Sequence, residues 1–328
     1  MNYYKDKIKK IALNLLEITS CPVVKRILLR DILNDPSYVY LTTESKQVRK
    51  LASEQWGNGS WGSFHSRSTK LKQNIPSTEV GVERALTLGL ERNHPILCKT
   101  ENYLVEILEG KSKFPDYPEK NDRWSTGVDL FVSSTLSLIN PYHPALDKPR
   151  NLWLKILKRS FRTGTYDEND EIATHEVLTG ASVKDSYLVL KSRYHLILMG
   201  SDSSLIPLTL KRQYIEWLWH HREGIGYLCI PLNRDASINH PGPLDRWFVS
   251  HELLSKYYPF VWAKLFFENA QWLWSKLNKD HLWDLGPKAS TQHYFPLSDN
   301  WLIRMNRQVD WSTRILLLLK RFYDNSTL

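Results

Sequence analysis

The phrase Asp122-Arg123-Trp124 returns as Asp245-Arg246-Trp247 and as Asp299-Asn300-Trp301, each time at the head of a segment with helical periodicity. A second phrase, Asn93-His94-Pro95-Ile96-Leu97, returns as Tyr142-His143-Pro144-Ala145-Leu146, at a spacing of roughly 50 residues. Repetition at this period indicates one supersecondary unit copied along the chain, because each copy needs its neighbours to bury its apolar face. The repeats therefore predict an array of helical hairpins.

Apolar residues recur at helical spacing along most of the chain, and alternation typical of strands is almost absent. Segments low in charge and rich in small residues cover 77–90, 122–139, 170–181, 245–257 and 299–323. Amphipathic segments alternate with them at 95–108, 149–162, 207–220 and 261–277. Helices with few charges are buried on more than one side. We therefore predict an all-α fold in which an inner and an outer ring of helices form a single α/α toroid. It would be one domain over residues 1–328, with the helices of residues 1–40 packed on its outside.

Composition narrows the possible partners. The net charge is +9, but the basic residues are scattered along helix faces and no nucleic-acid-binding motif is present, so we expect no nucleic-acid partner. The three cysteines are far apart and no segment approaches 18 apolar residues, which predicts a cytoplasmic chain without a transmembrane segment. The positive charge is compatible with peripheral contact with a membrane. No cofactor or metal motif is apparent, and the sequence does not indicate an oligomeric state.

A turn rich in glycine and tryptophan carries the one resemblance to a known family. Gln55-Trp56-Gly57-Asn58-Gly59-Ser60-Trp61 resembles the QW repeat of squalene-hopene-type cyclases, and Lys279-Asp280-His281-Leu282-Trp283 is a degenerate copy. With the helix alternation over about residues 40–325, the chain resembles the α/α-toroid superfamily of terpene cyclases and prenyltransferase β-subunits. The resemblance implies a toroid with a central cavity lined by aromatic residues. The whole chain contains 13 Trp, 16 Tyr and 10 Phe.

The catalytic motifs of that superfamily are not matched. Class II cyclases protonate the substrate with the central Asp of a DxDD motif, and the nearest string here, Asp167-Glu168-Asn169-Asp170, has Asn169 in that place. The DDxxD metal-binding motif of class I cyclases is missing, and so is the Asp, Cys and His zinc set of prenyltransferase β-subunits. The resemblance therefore supports one α/α barrel and leaves the reaction open.

Carboxylates at the predicted starts of inner helices are the first candidate site. Asp122, Asp245 and Asp299 are suited to capping helix N-termini, which is a structural role. If the inner helices run parallel, these residues also converge on one mouth of the barrel. There Trp124, Trp247, Trp301 and Trp61 of the QW-type turn would bind substrate together with Asp245 and Asp299. Asp122 would be the general acid, because it follows a loop long enough to act as a lid.

Two further groups suggest acid–base chemistry. An acidic turn leads into a helix on which Glu171 and His175 are four residues apart, so His175 is a candidate base and Asp170 a second candidate acid. His65 lies in a Gly- and Ser-rich loop and Glu79 in the first turn of the next helix, which predicts that both reach the same mouth. Each of these residues also has an ordinary structural explanation, as a solvated first turn or a loop residue.

Three functions fit these features. We favour a terpene-cyclase-like enzyme that acts by acid–base chemistry on an isoprenoid or other apolar small molecule, in the manner of an isomerase or lyase. A glycoside hydrolase or polysaccharide lyase on an (α/α) barrel is the alternative, because paired carboxylates beside aromatic residues also suit sugars. A non-catalytic helical-repeat binding protein is the third possibility. Fold analogy alone does not choose among them.

Overall fold

The computed structural model describes residues 2–65, 73–117, 124–181, 190–236, 241–286 and 296–326, and α-helices dominate them. Within these ranges no strand is present, and two isolated bridge pairs are the extended contacts recorded. The predicted all-α class is confirmed. The helices are, in chain order, α1 (Asn2–Ile18), α2 (Pro22–Ile27), α3 (Lys46–Glu54), α4 (Thr78–Thr87), α5 (Pro95–Leu108), α6 (Trp124–Ile139), α7 (Asp147–Ser160), α8 (Glu168–Thr179), α9 (Arg193–Gly200), α10 (Leu208–His220), α11 (Pro241–Tyr257), α12 (Pro259–Leu265), α13 (Phe267–Ser275) and α14 (Arg304–Asn325).

Residue contacts divide the chain into two compact units. The terminal unit comprises Met1–Ser53, Arg84–Leu90 and Asn233–Leu328, and the central unit comprises Glu54–Glu83 and Glu91–Leu232. Helix α4 contributes its first half to the central unit and its second half to the terminal unit. A single domain and the closure of the helices into a toroid both stay predictions.

The terminal unit is organised around α14. This helix packs against α1, α11 and α12, and it is buried along most of its length because residues 308–319 are almost uncharged. Helix α2 continues as a π-helical turn (Leu28–Leu33) that also contacts α1 and α14. In the described part of the chain, none of the helices combines the length and apolar character needed to cross a membrane.

In the central unit, α6 packs against α5 and α9, and α7 packs against α8 and α9. The low charge of α6 fits its position, since Ser133, Ser134, Thr135 and Ser137 are all buried. The hydroxyl groups of Ser133, Thr135 and Ser137 bond within the helix; for example, Thr135 Oγ1 donates to the Phe131 carbonyl at 2.9 Å. Small side chains that satisfy their own polar atoms let neighbouring helices pack closely around α6.

The repeated His-Pro phrase has a structural explanation. His94 precedes α5, and its Nδ1 accepts a hydrogen bond from the backbone N–H of Ile96 at 3.3 Å. His143 does the same for Ala145 at 3.1 Å, at the start of the short 3₁₀ turn that leads into α7. Proline follows both histidines at the first helical position, where its missing N–H costs nothing. The phrase is therefore a helix-capping device.

The QW-type turn is fastened to the start of α5. The side-chain amide of Gln55 donates to the carbonyls of Gly59 at 3.1 Å and Ile96 at 2.9 Å, and the Thr100 hydroxyl also donates to the Gly59 carbonyl at 2.8 Å. Gly59 has a φ of +92°, and a β-carbon there would lie 2.3 Å from the carbonyl oxygen of Lys99. The turn therefore requires glycine at position 59.

Three predicted helix starts differ from the structure. Helix α11 begins at Pro241, because proline suits a first helical turn, so Asp245 lies inside the helix rather than at its N-cap. Helix α14 begins at Arg304, since Asp310 bonds Leu297 and Ser298 and holds them outside the helix; Asp299 is left exposed before it. The acidic helix is capped by Asp167, not Asp170.

We predict that Gly59→Ala destabilises the protein much more than Gly57→Ala. The positive φ alone costs about 1–3 kcal/mol for a residue with a side chain, and the overlap with Lys99 adds to that. Gly57 is the matched control, because its β-carbon would have nothing within 4 Å, so a change of at most about 0.5 kcal/mol is expected there. Denaturant unfolding measures both; equal effects would contradict the close approach at position 59.

His251 provides a pH-dependent test of the terminal unit. It is fully buried among Trp247, Trp262 and Phe266, and its Nδ1 accepts a hydrogen bond from the Trp262 indole at 3.2 Å. Burial lowers the pKa of His251 to about 3, from 6.5 for the ordinary side chain. Between these values the unfolded chain binds a proton that the folded chain does not, so stability falls as the pH falls.

We expect His251→Phe to remove a slope of up to about 1.4 kcal/mol per pH unit below pH 6.5. The free energy of unfolding should be measured at pH 7, 6, 5 and 4.5. His281→Asn is the control, because His281 is exposed and its φ of 56° suits asparagine. A slope that is unchanged in His251→Phe would show that other groups cause the acid sensitivity.

Candidate functional site

The loop that carries His65 lies across the first turn of α4. The backbone N–H groups of Thr78 and Glu79 donate to the carbonyls of Ser63 and Phe64, at 2.8 and 3.2 Å. The Thr78 hydroxyl adds a bond to the Ser63 carbonyl at 3.1 Å. These bonds satisfy helix donors that have no partner inside the helix. As a result, the side chain of His65 lies directly beside that of Glu79.

His65, Glu79 and Tyr194 form a hydrogen-bonded group. Nδ1 of His65 lies 2.9 Å from Oε2 of Glu79 and 2.8 Å from the hydroxyl oxygen of Tyr194, and that hydroxyl lies 3.2 Å from the same Oε2. The side chains of His65 and Glu79 are 18% and 12% exposed, so both reach the surface only slightly. A carboxylate can only accept, so this contact favours the tautomer with its proton on Nδ1.

Three aromatic rings surround His65. Phe131 of α6 is stacked on the imidazole with ring centroids 4.8 Å apart, and Tyr194 and Tyr227 approach it edge-on at 5.8 and 5.5 Å. Tyr194 and Tyr227 also contact each other, at 5.1 Å. An imidazolium is attracted to the face of an aromatic ring. The surroundings therefore suit a histidine that acquires positive charge.

A half-buried ion pair lies one helical turn from Glu79. Glu83 of α4 pairs with Arg193, the residue before Tyr194 in the first turn of α9. Burial raises the pKa of Glu83, and the charge of Glu79 adds to this, while Arg193 opposes it. Burial alone would lower the pKa of Arg193, but the charge of Glu83, together with Tyr194 and Glu79, outweighs burial and the pKa is raised. Arg193 therefore stays charged and forms its ion pair with Glu83.

Two polar groups at this site have unusual surroundings. Burial, and next the charge of Glu79, raise the pKa of Tyr194 well above its ordinary value, so its hydroxyl remains a donor. The second oxygen of Glu79, Oε1, is buried and accepts no hydrogen bond. An unsatisfied buried carboxylate oxygen costs free energy.

The other predicted residues of the central unit have structural surroundings. Trp61 is fully buried, and its ring lies where a side chain on Gly81 would collide with it, so it is a core residue. Asp170 forms ion pairs with Arg162 at 2.5 Å and Arg159 at 3.4 Å. That Trp61 and Asp170 share a site with His65 stays a prediction.

His175 is completely buried. Its Nε2 lies 3.1 Å from the Thr126 hydroxyl, and its ring is 5.7 Å from that of Trp153. Glu171, the predicted partner of His175, accepts hydrogen bonds from the Tyr166 hydroxyl at 2.7 Å and from the backbone N–H of Leu190. The role predicted for His175 as a base stays a prediction.

The predicted residues of the terminal unit are mostly interior. Asp245 and Trp247 are fully buried, and the Trp247 indole donates to the Arg234 carbonyl at 2.8 Å. The Trp301 indole donates to the buried Asp310, whereas Asp299 is exposed. Asp122 and the side chain of Trp124 lie outside the described residues. Convergence of all these groups on one mouth stays a prediction.

Sequence reasoning found two members of this group and missed the others. Glu83 could have been found, because it is four residues after Glu79 and shares its helix face. No local signal marks the other members, since tertiary packing alone brings them to His65; they are Tyr194, Arg193, Phe131 and Tyr227.

Among the described residues, no cluster of three or more His, Cys, Asp or Glu could hold a metal ion.

A scan against protein-family models, a search of curated proteins and a search of solved structures each find no match to this chain. The geometry of the group around His65 therefore carries the functional argument by itself.

We predict that neutral His65 has its proton on Nδ1 in the wild-type protein. Nitrogen NMR of the histidine rings should show Nδ1 protonated and Nε2 unprotonated. Glu79→Gln should weaken this preference, because an amide can accept or donate. Glu109→Gln, which changes an exposed carboxylate, should leave the His65 signals unchanged. A wild-type ring with its proton on Nε2 would contradict the geometry.

Proposed function

We propose that the central unit carries an acid–base catalytic site in which His65 is the base and Glu79 orients it. The contact between His65 Nδ1 and Glu79 Oε2, at 2.9 Å, is the observation that carries this proposal. Histidine is the side chain best suited to proton transfer near neutral pH. A carboxylate on Nδ1 leaves the lone pair on Nε2, which is then the atom that accepts a proton from a substrate.

The surroundings of His65 support this role. When Nε2 accepts a proton, the positive charge forms beside the Glu79 carboxylate and on the face of Phe131, and both stabilise it. Tyr194 remains protonated because of its raised pKa, so it can donate a hydrogen bond to an oxygen of the substrate. A base and a hydrogen-bond donor are thus held within one hydrogen-bonded group.

This arrangement favours proton abstraction over the protonation of an alkene. A proton-initiated cyclase needs a carboxylic acid that delivers a proton, whereas Glu79 faces the donors His65 and Tyr194 as an acceptor. The reaction that fits is an isomerisation or elimination that begins with loss of a proton from carbon. An isoprenoid or other apolar small molecule is the proposed substrate, on the basis of the surrounding rings and the QW-type turn.

The alternatives receive less support from the same group. A glycoside hydrolase needs two carboxyl groups on either side of the scissile bond, and here Glu83 is bound to Arg193. A purely non-catalytic helical-repeat protein does not need a histidine, a carboxylate and a tyrosine hydroxyl within one hydrogen-bonded group.

The test is turnover in deuterium oxide. The protein is incubated separately with a panel of isoprenoid ketones and alcohols and with uronic-acid oligosaccharides, and deuterium incorporation or product formation is followed by mass spectrometry. We expect turnover of a member of the isoprenoid panel, falling at least about a hundredfold in His65→Gln. His143→Asn is the control, because it alters a histidine that caps a helix.

Two results would contradict the proposal. Full activity in a folded His65→Gln protein would remove the role of the base. Turnover confined to the oligosaccharides would support the sugar-acting alternative instead. Tyr194→Phe separates the hydrogen-bond donor from the base, since it removes the hydroxyl while the contact between His65 and Glu79 is retained.

A further inference from the structure

The backbone at His65 is bound by a carboxylate that is distant in sequence. Oδ1 of Asp116 accepts the backbone N–H of Phe64 at 2.7 Å, and Oδ2 accepts the backbone N–H of His65 at 2.8 Å. Asp116 lies in the loop after α5, next to Phe114, whose ring contacts that of Phe64 at 4.9 Å. Hydrogen bonds to an ionised acceptor are shorter and stronger than neutral ones. Two such bonds on consecutive amides fix the direction of the chain at this point.

The peptide group between Phe64 and His65 is held through its carbonyl as well as its N–H group. The Phe64 carbonyl accepts the N–H of Glu79, so the peptide groups around Phe64 are bound by Asp116 through their N–H groups and by α4 through a carbonyl. The Phe64 side chain is fully buried. Because the backbone at Phe64 and His65 and the buried side chain of Phe64 are fixed, the position of the His65 β-carbon does not depend on the contacts of the imidazole.

We propose that Asp116 is a positioning residue for His65, which sets the distance between the imidazole and Glu79 without touching the substrate. This inference rests on the proposed function of His65. If the carboxylate is removed, two consecutive N–H groups lose the acceptor that holds them. The imidazole then loses its alignment with Glu79 Oε2.

Glu54 provides an internal comparison. Its Oε2 accepts the backbone N–H groups of two consecutive residues, Asn74 and Ile75, both at 2.8 Å. The chemistry is the same as at Asp116, and both carboxylates belong to the central unit. However, the segment that Glu54 holds carries no acid or base of the proposed site. Glu54→Gln is therefore a control for the loss of a structural carboxylate.

The experiment is nitrogen NMR of the histidine rings in the full chain with Asp116→Asn. Asparagine offers one acceptor oxygen and turns an NH₂ group toward the second N–H, so one bond is replaced by a clash of donors. We expect the His65 signals of Asp116→Asn to lose the preference for the Nδ1 proton, as in Glu79→Gln. Glu54→Gln should retain the wild-type signals even if it lowers thermal stability. Unchanged His65 signals in a folded Asp116→Asn protein would overturn the proposal.

A measurement on the wild-type protein covers the case in which Asp116→Asn does not fold. The amides of Phe64 and His65 should exchange with solvent deuterium at least about a hundredfold more slowly than those of an exposed loop. Exchange as fast as in an exposed loop would overturn the proposal.

In kinetic assays we expect Asp116→Asn to lower kcat at least tenfold with a smaller change in KM. Loss of activity in His65→Gln without loss in Asp116→Asn would reject the positioning role and leave the proposed function standing.

Discussion

Carboxylates that bind the backbone N–H groups of loops are the interaction on which this all-α chain depends. Helices satisfy their own amides, but the loops that return between them are partly buried and cannot. Glu54, Asp116 and Asp310 each accept the N–H groups of two consecutive loop residues, and Glu171 accepts that of Leu190. An unsatisfied buried amide costs about 1–3 kcal/mol. The carboxylates therefore decide where irregular backbone can be buried.

This requirement also explains how a reactive side chain reaches the interior. A loop fixed at both its N–H and carbonyl groups can hold a histidine as firmly as a helix does, and the segment around Phe64 has both kinds of bond. Gly59 allows the turn that precedes this loop to approach α5 closely, and this approach fixes where the loop that carries His65 begins. Turn chemistry, carboxylate and helix start thus act together on the orientation of His65.

Periodicity and proline placement were enough to predict most helices, because both are local properties of the sequence. The starts at Asp245 and Asp299 were wrong because other groups compete with local capping: prolines begin α11 earlier, and Asp310 holds the segment before α14. His65 and Glu79 could be proposed from their places in a loop and a first helical turn. Tyr194 and Asp116 could not, since they reach His65 through tertiary packing across 129 and 51 residues of sequence.

Glu79 differs from the carboxylates that hold loop backbone in what it binds. Glu54 and Asp116 bind backbone amides, which do not change charge between pH 3 and 11, so their role is the same at every pH at which they are ionised. Glu79 binds the side chains of His65 and Tyr194 instead. An imidazole can gain and lose a proton near neutral pH, so this contact involves a side chain whose charge can change. Placing the Glu79 carboxylate in the interior lowers the stability of the protein. Proton transfer at His65 would explain why the chain keeps the carboxylate there despite that loss.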